Sequence, residues 1–337
     1  MILFITADRI GSETGGGLVT KNEYEALSEL GQVRIVNPNA QSDPFDTEKS
    51  IQKDEWHNYK LAHFYSGTFP NLVRTLKAAG VKISYTAAAH DLKESKKEFK
   101  NAGLEFNFPH LTNPKLWSEY LSSYKNADVV ITPSTHSKTV MEGFGCNNLK
   151  VVPHGCDLMR PTNYPKRFSV GYLGQTGPDK GIVYLLEAWA KLDYDDAILN
   201  IAGKTSTQLL YAIRYYNKGN VNLMGWVKSV EKFYNSCSVY VQPSVTEGFG
   251  IEVLEAMNCE RPVIVSDGAG AADVVETCCG KIFAKRNVDQ LAEYIDWYKN
   301  NPGQLKTHGR NAMNIAKNYT WDKVKGMYQK VWKEMLA

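Results

Sequence analysis

The sequence lacks any apolar run near the roughly 18 residues that a membrane-spanning helix needs. Its first segment, MILFITADRIG, has neither a basic start nor a small-residue cleavage site, so we expect no secretory signal peptide. The six cysteines show none of the paired spacings of zinc sites, and adjacent Cys278 and Cys279 are poorly placed for a mutual disulfide. These absences favour a cytoplasmic protein with reduced thiols.

An excess of charge of one sign is also lacking. The net charge is +3, from 39 Lys and Arg against 36 Asp and Glu, which is too mild to indicate nucleic-acid binding. Neither half contains G-x-G-x-x-G with an acidic residue about 20 positions later, which argues against an NAD-dependent Rossmann enzyme. With 43% hydrophobic and 22% charged residues, the 337-residue chain has the composition of a globular protein with room for two domains.

What the sequence does contain is a regular alternation of short apolar runs and longer helical stretches. The apolar runs predict strands at residues 2–6, 33–37, 61–65, 82–88, 128–134 and 149–155, and then at 167–174, 197–203, 220–226, 239–244 and 262–267. Helical patterns lie between them, for example at 20–31, 71–80 and 181–192. This alternation is typical of a doubly wound parallel sheet in the α/β class.

A polar stretch, RPTNYPKR at residues 160–167, separates the two series of strands. We therefore predict two Rossmann-like domains, an N-terminal one at 1–161 and a C-terminal one at 162–318. The closing segment 319–337 carries a helical pattern with no strand after it. We expect this last helix to cross back and pack on the N-terminal domain.

Polar and glycine-rich motifs follow several predicted strands closely. Ligands of open parallel sheets bind outside the carboxyl ends of the strands, near helix N-termini. Each motif alone has an ordinary structural explanation, such as a turn, a cap or surface charge. Their shared position favours a binding site built from Gly15–Gly17, His90–Asp91, Lys180–Gly181 and Glu247–Gly250.

The stretch TEGFGIEVLEAM at 246–257 carries the most specific pattern. Its glycines allow a backbone to approach a ligand closely, and a helix starting near Gly250 offers free N–H groups that suit a phosphate. Glu255 would lie one to two turns into this helix, with Glu247 in the loop before it. Because a carboxylate can accept two hydrogen bonds from a vicinal diol, the two glutamates suit the ribose and hexose ends of a nucleotide-sugar.

These residues resemble the donor-site signature of retaining GT-B glycosyltransferases, specifically glycosyltransferase family 4, the glycosyl transferases group 1. The resemblance rests on PSVTEGFGIEVLEAM (243–257), RPVIVS (261–266) and GAGAAD (268–273). PHGCD (153–157), GYLG (171–174), AGK (202–204), MGW (224–226) and YTWDKV (319–324) follow the family's order. It implies the GT-B fold and transfer of a hexose from a nucleoside diphosphate sugar, UDP-sugar favoured over GDP-sugar, with retention of anomeric configuration.

The resemblance also implies roles for individual residues. Glu255 would bind the donor ribose, Lys180 would neutralise the diphosphate leaving group, and Glu247 and His90 would contact the transferring sugar as catalytic residues. The implied donor-binding set also contains Gly16, Gly17, Lys204, Gly225, Trp226, Val227, Phe249, Gly250 and Ile251. No permanently bound cofactor is implied.

The sequence departs from the family at the phosphate clamp and at one turn. The family usually has arginine where this sequence has Gln175, so Lys204 or Arg9 would have to substitute. Glu260 stands where glycine is usual. The acidic pair Asp193 and Asp195 precedes a strand, at the wrong edge of the sheet for a metal on the diphosphate, so metal independence is favoured.

Several interpretations remain open at the level of sequence. A catalytically weak nucleotide-sugar-binding module is the main alternative, motivated by Gln175, and a GT-B epimerase or phosphorylase is a minor one. The acceptor could be a sugar, a lipid-linked molecule or another small molecule, and peripheral membrane contact is compatible with it. No nucleic-acid partner is expected, and the oligomeric state is open.

Overall fold

The computed structural model of this chain describes residues 1–6, 10–12, 14–36, 53–65, 69–89, 91–106 and 113–337. Packing divides it into two compact units. The first unit comprises Met1–Ala89, Asn107–Gly155 and Trp321–Ala337, and the second comprises His90–Phe106 and Cys156–Thr320. The domain boundary expected between residues 161 and 162 stays a prediction.

Each unit contains one six-stranded parallel sheet. The first has the order β2-β1-β3-β4-β5-β6 and the second the order β12-β11-β10-β7-β8-β9. The strands are β1 (Ile2–Thr6), β2 (Val33–Val36), β3 (Leu61–Tyr65), β4 (Lys82–Thr86), β5 (Val129–Thr132), β6 (Leu149–Val151), β7 (Phe168–Leu173), β8 (Ala197–Ala202), β9 (Val221–Gly225), β10 (Val239–Gln242), β11 (Val263–Ser266) and β12 (Gly280–Phe283). The predicted α/β class with two doubly wound sheets is confirmed.

Helices flank both sheets. They are α1 (Gly15–Ser28), α2 (Pro70–Ala78), α3 (Leu92–Asn101), α4 (Pro114–Asn126), α5 (Thr135–Gly143), α6 (Ile182–Leu192), α7 (Thr207–Tyr216), α8 (Val230–Asn235), α9 (Ile251–Asn258), α10 (Val288–Asn300), α11 (Pro302–Ala316) and α12 (Trp321–Leu336). Short 3₁₀ turns cover Lys53–Asn58, Pro178–Lys180, Gly270–Val274 and Lys317–Tyr319. None of the helices in the described ranges combines the length and apolar character needed to cross a bilayer.

The eleven predicted strands all form, with one or more residues trimmed from most ends. Strand β12 was not predicted, because GKIF is short and only half apolar. Helix α1 begins at Gly15 rather than at residue 20, since Thr14 caps it by accepting a hydrogen bond from the Gly17 N–H at 3.1 Å. Glycine content alone would not favour a helix there.

A buried polar cluster ties helix α12 to the first sheet. The Trp332 Nε1–H donates to Ser84 Oγ at 3.2 Å, and Ser84 Oγ lies 2.8 Å from His63 Nδ1. His63 Nε2 in turn lies 3.3 Å from a carboxylate oxygen of Glu23 in helix α1. Glu23, His63 and Trp332 are fully buried. These contacts confirm the predicted return of the last helix to the N-terminal sheet.

The core of the second unit is also mostly apolar with a few partnered polar groups. Trp189 of α6 is buried and donates from Nε1 to Asn220 Oδ1 at 3.0 Å. Arg261 is fully buried beside Tyr164, whose ring centroid lies 4.3 Å from the guanidinium carbon. Its Nη2 donates to the Thr162 carbonyl oxygen at 2.9 Å, so the arginine binds the segment that leads into β7.

Glycine is required where helix α11 meets this segment, which gives a test of the packing. An added Cβ at Gly309 would lie 2.0 Å from the Tyr164 hydroxyl and 2.2 Å from the Glu260 carbonyl oxygen. We expect Gly309→Ala to lower the free energy of unfolding by about 1–3 kcal/mol, because the clash displaces backbone. Gly326→Ala in α12, where nothing lies within 4 Å, should raise it by up to about 1 kcal/mol. Urea unfolding of both variants measures this, and equal effects would contradict the packing described.

Candidate functional site

The predicted motifs of the second half gather at the carboxyl edge of the second sheet. Lys180 ends the Pro178–Lys180 turn that follows β7, and Glu247 lies in the loop that follows the neighbouring strand β10. The carboxyl ends of adjacent parallel strands meet at one edge, which explains why residues 67 positions apart are brought together.

Lys180 and Glu247 form an ion pair. Lys180 Nζ donates to Glu247 Oε2, and the two side chains are 18% and 17% exposed. Burial opposes the charge of Lys180, but the carboxylates of Glu247 and Asp179 outweigh it and raise the pKa of the lysine. The ammonium is therefore a fixed positive charge in a largely shielded place.

The loop that carries Glu247 is held by backbone hydrogen bonds to the second glycine cluster. The Glu247 N–H donates to the Gly268 carbonyl at 3.0 Å, and its carbonyl accepts from the Gly270 N–H at 3.0 Å. The Phe249 carbonyl accepts from the Ala271 N–H at 2.7 Å, and the Phe249 side chain is buried. The glycine cluster at 268–273 therefore supports the Glu247 loop.

Helix α9 begins directly after this loop. Gly250 has φ +97°, a conformation that favours glycine, and it turns the chain into the helix at Ile251. The first N–H groups of a helix have no partner within it and attract negative charge. The helix start thus lies three to four residues along the chain from the Glu247 carboxylate.

Glu255 lies in the second turn of α9 and is oriented by a tyrosine. The Tyr234 hydroxyl of helix α8 donates to Glu255 Oε2 at 2.7 Å. Burial raises the pKa of Glu255, and the Tyr234 hydrogen bond acts in the opposite direction. Tyr234 was missed from the sequence, since a helical tyrosine 21 residues away carries no local signal.

Glu252 is a third carboxylate at this site, also missed from the sequence. It lies in the first turn of α9, between Glu247 and Glu255 in the chain. Burial, followed by the negative charges of Glu247 and Glu255, raises the pKa of Glu252 to about 7. Lys180 lowers it only in part. Lys180 thus shares its neighbourhood with the carboxylates of Glu247, Asp179 and Glu252.

The other predicted donor-binding residues of this unit lie along the same sheet edge. Lys204 and Gln175 are exposed, and the Thr176 hydroxyl donates to the Lys204 carbonyl at 3.1 Å. Gly225 has φ +62° and its carbonyl accepts from the Gly203 N–H at 2.8 Å. Trp226 after it is 68% exposed, and Val227 is half-buried.

The predicted residues of the first half are described less fully. Gly16 and Gly17 lie in the first unit, in the first turn of α1. His90 and Arg9 lie outside the described residues. Asp91, the next residue after His90, belongs to the second unit, and its N–H donates to Thr246 Oγ1 at 2.8 Å. Thr246, which accepts this hydrogen bond, directly precedes Glu247 in the chain.

Comparison with known proteins finds a family similar to the second half of the chain. The model of the family described as glycosyl transferases group 1 matches residues 159–315, which include Lys180, Glu247 and Glu255. This part of the chain is similar to members of that family.

Curated proteins named as glycosyltransferases match part of the chain. An uncharacterized glycosyltransferase of Methanocaldococcus jannaschii is 28% identical over 216 residues, which are 62% of this chain and 60% of that protein. The capsular polysaccharide biosynthesis glycosyltransferase CapM of Staphylococcus aureus is 30% identical over 179 residues, 50% of this chain and 47% of CapM. The chain therefore matches at most about three fifths of these relatives.

Solved structures share the whole fold. Sucrose-phosphate synthase from Thermosynechococcus elongatus superposes with a TM-score of 0.78 at 17% identity, covering 99% of both chains. Anabaena HepE in complex with UDP-glucose superposes with a TM-score of 0.76 at 18% identity, also covering 99% of both. At these identities the likeness shows the fold alone, and the GT-B architecture expected from the sequence is confirmed.

The raised pKa of Glu252 predicts how stability depends on pH. A carboxyl with a folded-state pKa of about 7, against 4.5 ordinarily, binds more protons folded than unfolded between these values. Its contribution is complete at low pH and is lost as pH rises through about 7, so the free energy of unfolding should fall on the order of 1–3 kcal/mol from about pH 5 to pH 8.

Replacement by glutamine tests this directly. Glu252→Gln cannot ionise and should flatten the decline, as measured by urea unfolding at several pH values. Glu293→Gln, a change at an exposed glutamate of α10, is the matched control and should keep the wild-type profile. A Glu252→Gln profile that parallels the wild type would show that Glu252 is not the group responsible.

Proposed function

We propose that this protein is a retaining glycosyltransferase that moves a hexose from a nucleoside diphosphate sugar to an acceptor. The observation that carries the proposal is the buried Lys180–Glu247 ion pair beside the start of α9, with Glu255 oriented on the same helix. This arrangement supplies a fixed cation and free helix N–H groups for a diphosphate, with a carboxylate on either side for hydroxyl groups.

In this proposal the donor lies along the sheet edge. The ribose hydroxyls bind Glu255, whose Oε2 is held by Tyr234, and the diphosphate lies at the start of α9 beside Lys180. The hexose faces Glu247, and the backbone at Gly225–Val227 borders the base. A uridine donor is favoured because HepE, which shares the fold, binds UDP and UDP-glucose.

The reaction breaks the bond between the anomeric carbon and a diphosphate oxygen. The oxygen departs with the bonding electrons, the acceptor hydroxyl bonds to the anomeric carbon, and its proton is released. Negative charge grows on the diphosphate, where Lys180 and the N–H groups at Gly250 and Ile251 stabilise it. Preorganised groups of this kind allow the step without a metal ion, and the side chain of Asp193 instead pairs with Lys218 at 2.6 Å.

The remaining assignments concern the first half and the acceptor. We assign His90 to the transferring sugar, which is supported by the Asp91–Thr246 bond next to Glu247. Gly16 and Gly17 are assigned to the diphosphate or to admission of the acceptor. The proposed acceptor is a sugar, a lipid-linked molecule or another small molecule. We propose a cytoplasmic location for the enzyme, which is compatible with peripheral membrane contact.

A nucleotide-sugar-binding module with weak turnover is the second candidate. One observation favours it: Gln175 is exposed and uncharged where the resemblance calls for a cation. Lys204 is the nearby alternative cation and is likewise exposed. The two candidates differ in turnover and not in binding.

A donor screen decides between these candidates. UDP- and GDP-hexoses are incubated with the protein and a mixture of sugar and lipid-linked acceptors, and products are detected by mass spectrometry. We expect transfer or slow hydrolysis of a UDP-hexose that persists in excess EDTA. Loss of activity on chelation that Mg²⁺ or Mn²⁺ restores would contradict metal independence, and binding without any turnover would favour the module.

Lys180 should carry most of the leaving-group stabilisation because Gln175 is uncharged. Lys180→Ala is expected to lower kcat by about 100- to 1,000-fold, the usual effect of removing a preorganised electrostatic partner. Gln175→Arg should leave kcat equal or raise it. Lys191→Ala removes the exposed lysine paired with Asp289 and should leave steady-state kinetics unchanged. Normal turnover by Lys180→Ala would show that the diphosphate lies elsewhere.

A further inference from the structure

Helix α3 belongs to the second unit, although its sequence position lies within the first series of strands. Residues 91–106 pack with the C-terminal half, and α3 lies directly against the Pro178–Lys180 turn. The helix is capped by Asp91, whose Oδ1 accepts from the Lys93 and Glu94 N–H groups at 2.9 and 3.1 Å. Helix α3, which comes from the first half of the chain, therefore forms part of the surroundings of Lys180.

One arginine connects α3 to the rest of the second unit. Arg286 Nε donates to Glu98 Oε1 at 2.8 Å, and its Nη2 binds a carboxylate oxygen of Glu94. Glu98 is 4% exposed, and its other oxygen accepts from the Tyr184 hydroxyl at 2.8 Å. We name these four residues, Glu94, Glu98, Tyr184 and Arg286, the Arg286 cluster.

The cluster is charged and largely shielded. Burial opposes the charge of Arg286, but the hydrogen bonds to Glu94 and Glu98 raise its pKa overall. The hydrogen bond from Arg286 likewise lowers the pKa of Glu94. A planar guanidinium that binds two carboxylates at once gives a geometrically specific contact, which a lysine ammonium does not reproduce.

The backbone of Arg286 supports a specific role for its side chain. It has φ +69°, in the left-handed region that L-residues other than Asn, Asp and His seldom adopt. Glycine would take this conformation without strain. Strained positions persist where the surrounding structure holds them, and here the two glutamates hold the guanidinium.

Both ends of the cluster lead to the candidate site. Tyr184 lies in α6, four residues after Lys180. At the start of α3 the Asp91 N–H donates to Thr246 Oγ1 at 2.8 Å, and Thr246 is followed by Glu247. The segment is thus fixed at one end by Arg286 and at the other by the loop that carries Glu247.

We propose that Arg286 is a positioning residue, which holds α3 and its N-cap residue Asp91 in place against the Pro178–Lys180 turn and the loop that carries Glu247 by binding both Glu94 and Glu98. The inference rests on the proposed function, since the positioned segment adjoins Lys180 and Glu247, which are assigned to the diphosphate and the transferring sugar. Arg286 acts through the segment and touches no reacting atom. Its loss should therefore affect turnover more than donor binding.

The test uses two substitutions at one position. Arg286→Gly removes the guanidinium and relieves the backbone strain, so the fold should be retained, while Arg286→Lys keeps the charge without the two-carboxylate contact. Lys191→Ala, at an exposed pair of the same unit, is the control. Amide hydrogen exchange at 92–101 should be faster by about tenfold or more in Arg286→Gly, with a smaller increase in Arg286→Lys and none in the control.

Kinetics provide the second measurement. Arg286→Gly should lower kcat about 10- to 100-fold, as expected for a misplaced group, while the Kd of UDP changes by less than about threefold. Arg286→Lys should recover part of kcat. An unchanged exchange rate at 92–101, or faster exchange with unchanged kcat, would overturn the proposal.

Failure of the proposed function would be visible separately. If the wild type turns over no nucleotide-sugar donor, the transferase proposal fails and positioning for transfer fails with it, whereas the exchange measurement still decides whether Arg286 holds α3. If Arg286→Gly does not fold, Glu94→Gln combined with Glu98→Gln removes the two carboxylates that Arg286 binds, with the backbone at residue 286 unaltered, and the same two outcomes apply.

Discussion

Close contact between backbone segments at the carboxyl edge of the second sheet is the constraint on which the candidate site depends. An added Cβ at Gly181 would lie 2.0 Å from the Pro243 carbonyl oxygen, and one at Gly203 would lie 2.0 Å from the Gly174 carbonyl oxygen. A larger residue at Gly181 would push apart the two loops that carry Lys180 and Glu247. The ion pair exists because the loops can touch.

That proximity has an electrostatic cost, since it places Glu247, Asp179 and Glu252 around a single lysine. Burial and the negative charges of Glu247 and Glu255 raise the pKa of Glu252 to about 7, so below that pH this carboxyl holds a proton and adds no negative charge. A bound diphosphate would add negative charge to the same place. To bind a diphosphate, the backbone N–H groups at the start of α9 and the ammonium of Lys180 therefore have to outweigh the negative potential of these carboxylates. The sequence motif alone does not show this potential.

Local patterns predicted most of the elements but neither β12 nor the first turn of α1, and the long-range contacts were not predictable from them. Alternating apolar runs predicted eleven strands, and the spacing around Gly250 predicted the start of α9 to within one residue. The sequence also brought Lys180 and Glu247 to one sheet edge, because both follow parallel strands. Contacts such as that of Arg286 with Glu94, 192 residues apart, depend on how finished helices pack, and no local property of either residue indicates its partner.

Buried polar groups help to explain why α12, the last helix of the chain, packs in the first unit, and why α3, from the first half of the chain, packs in the second. Apolar surfaces alone would let α12 slide along the first sheet, but the hydrogen bond of Trp332 to Ser84, in line with His63 and Glu23, is made in one position only. A buried polar group without its partner is costly, so these contacts select one arrangement among several with similar apolar burial. The same argument applies to α3, where the carboxylate of Glu98 is satisfied only against the second unit. Directional contacts therefore help to select the unit that α3 and α12 each join.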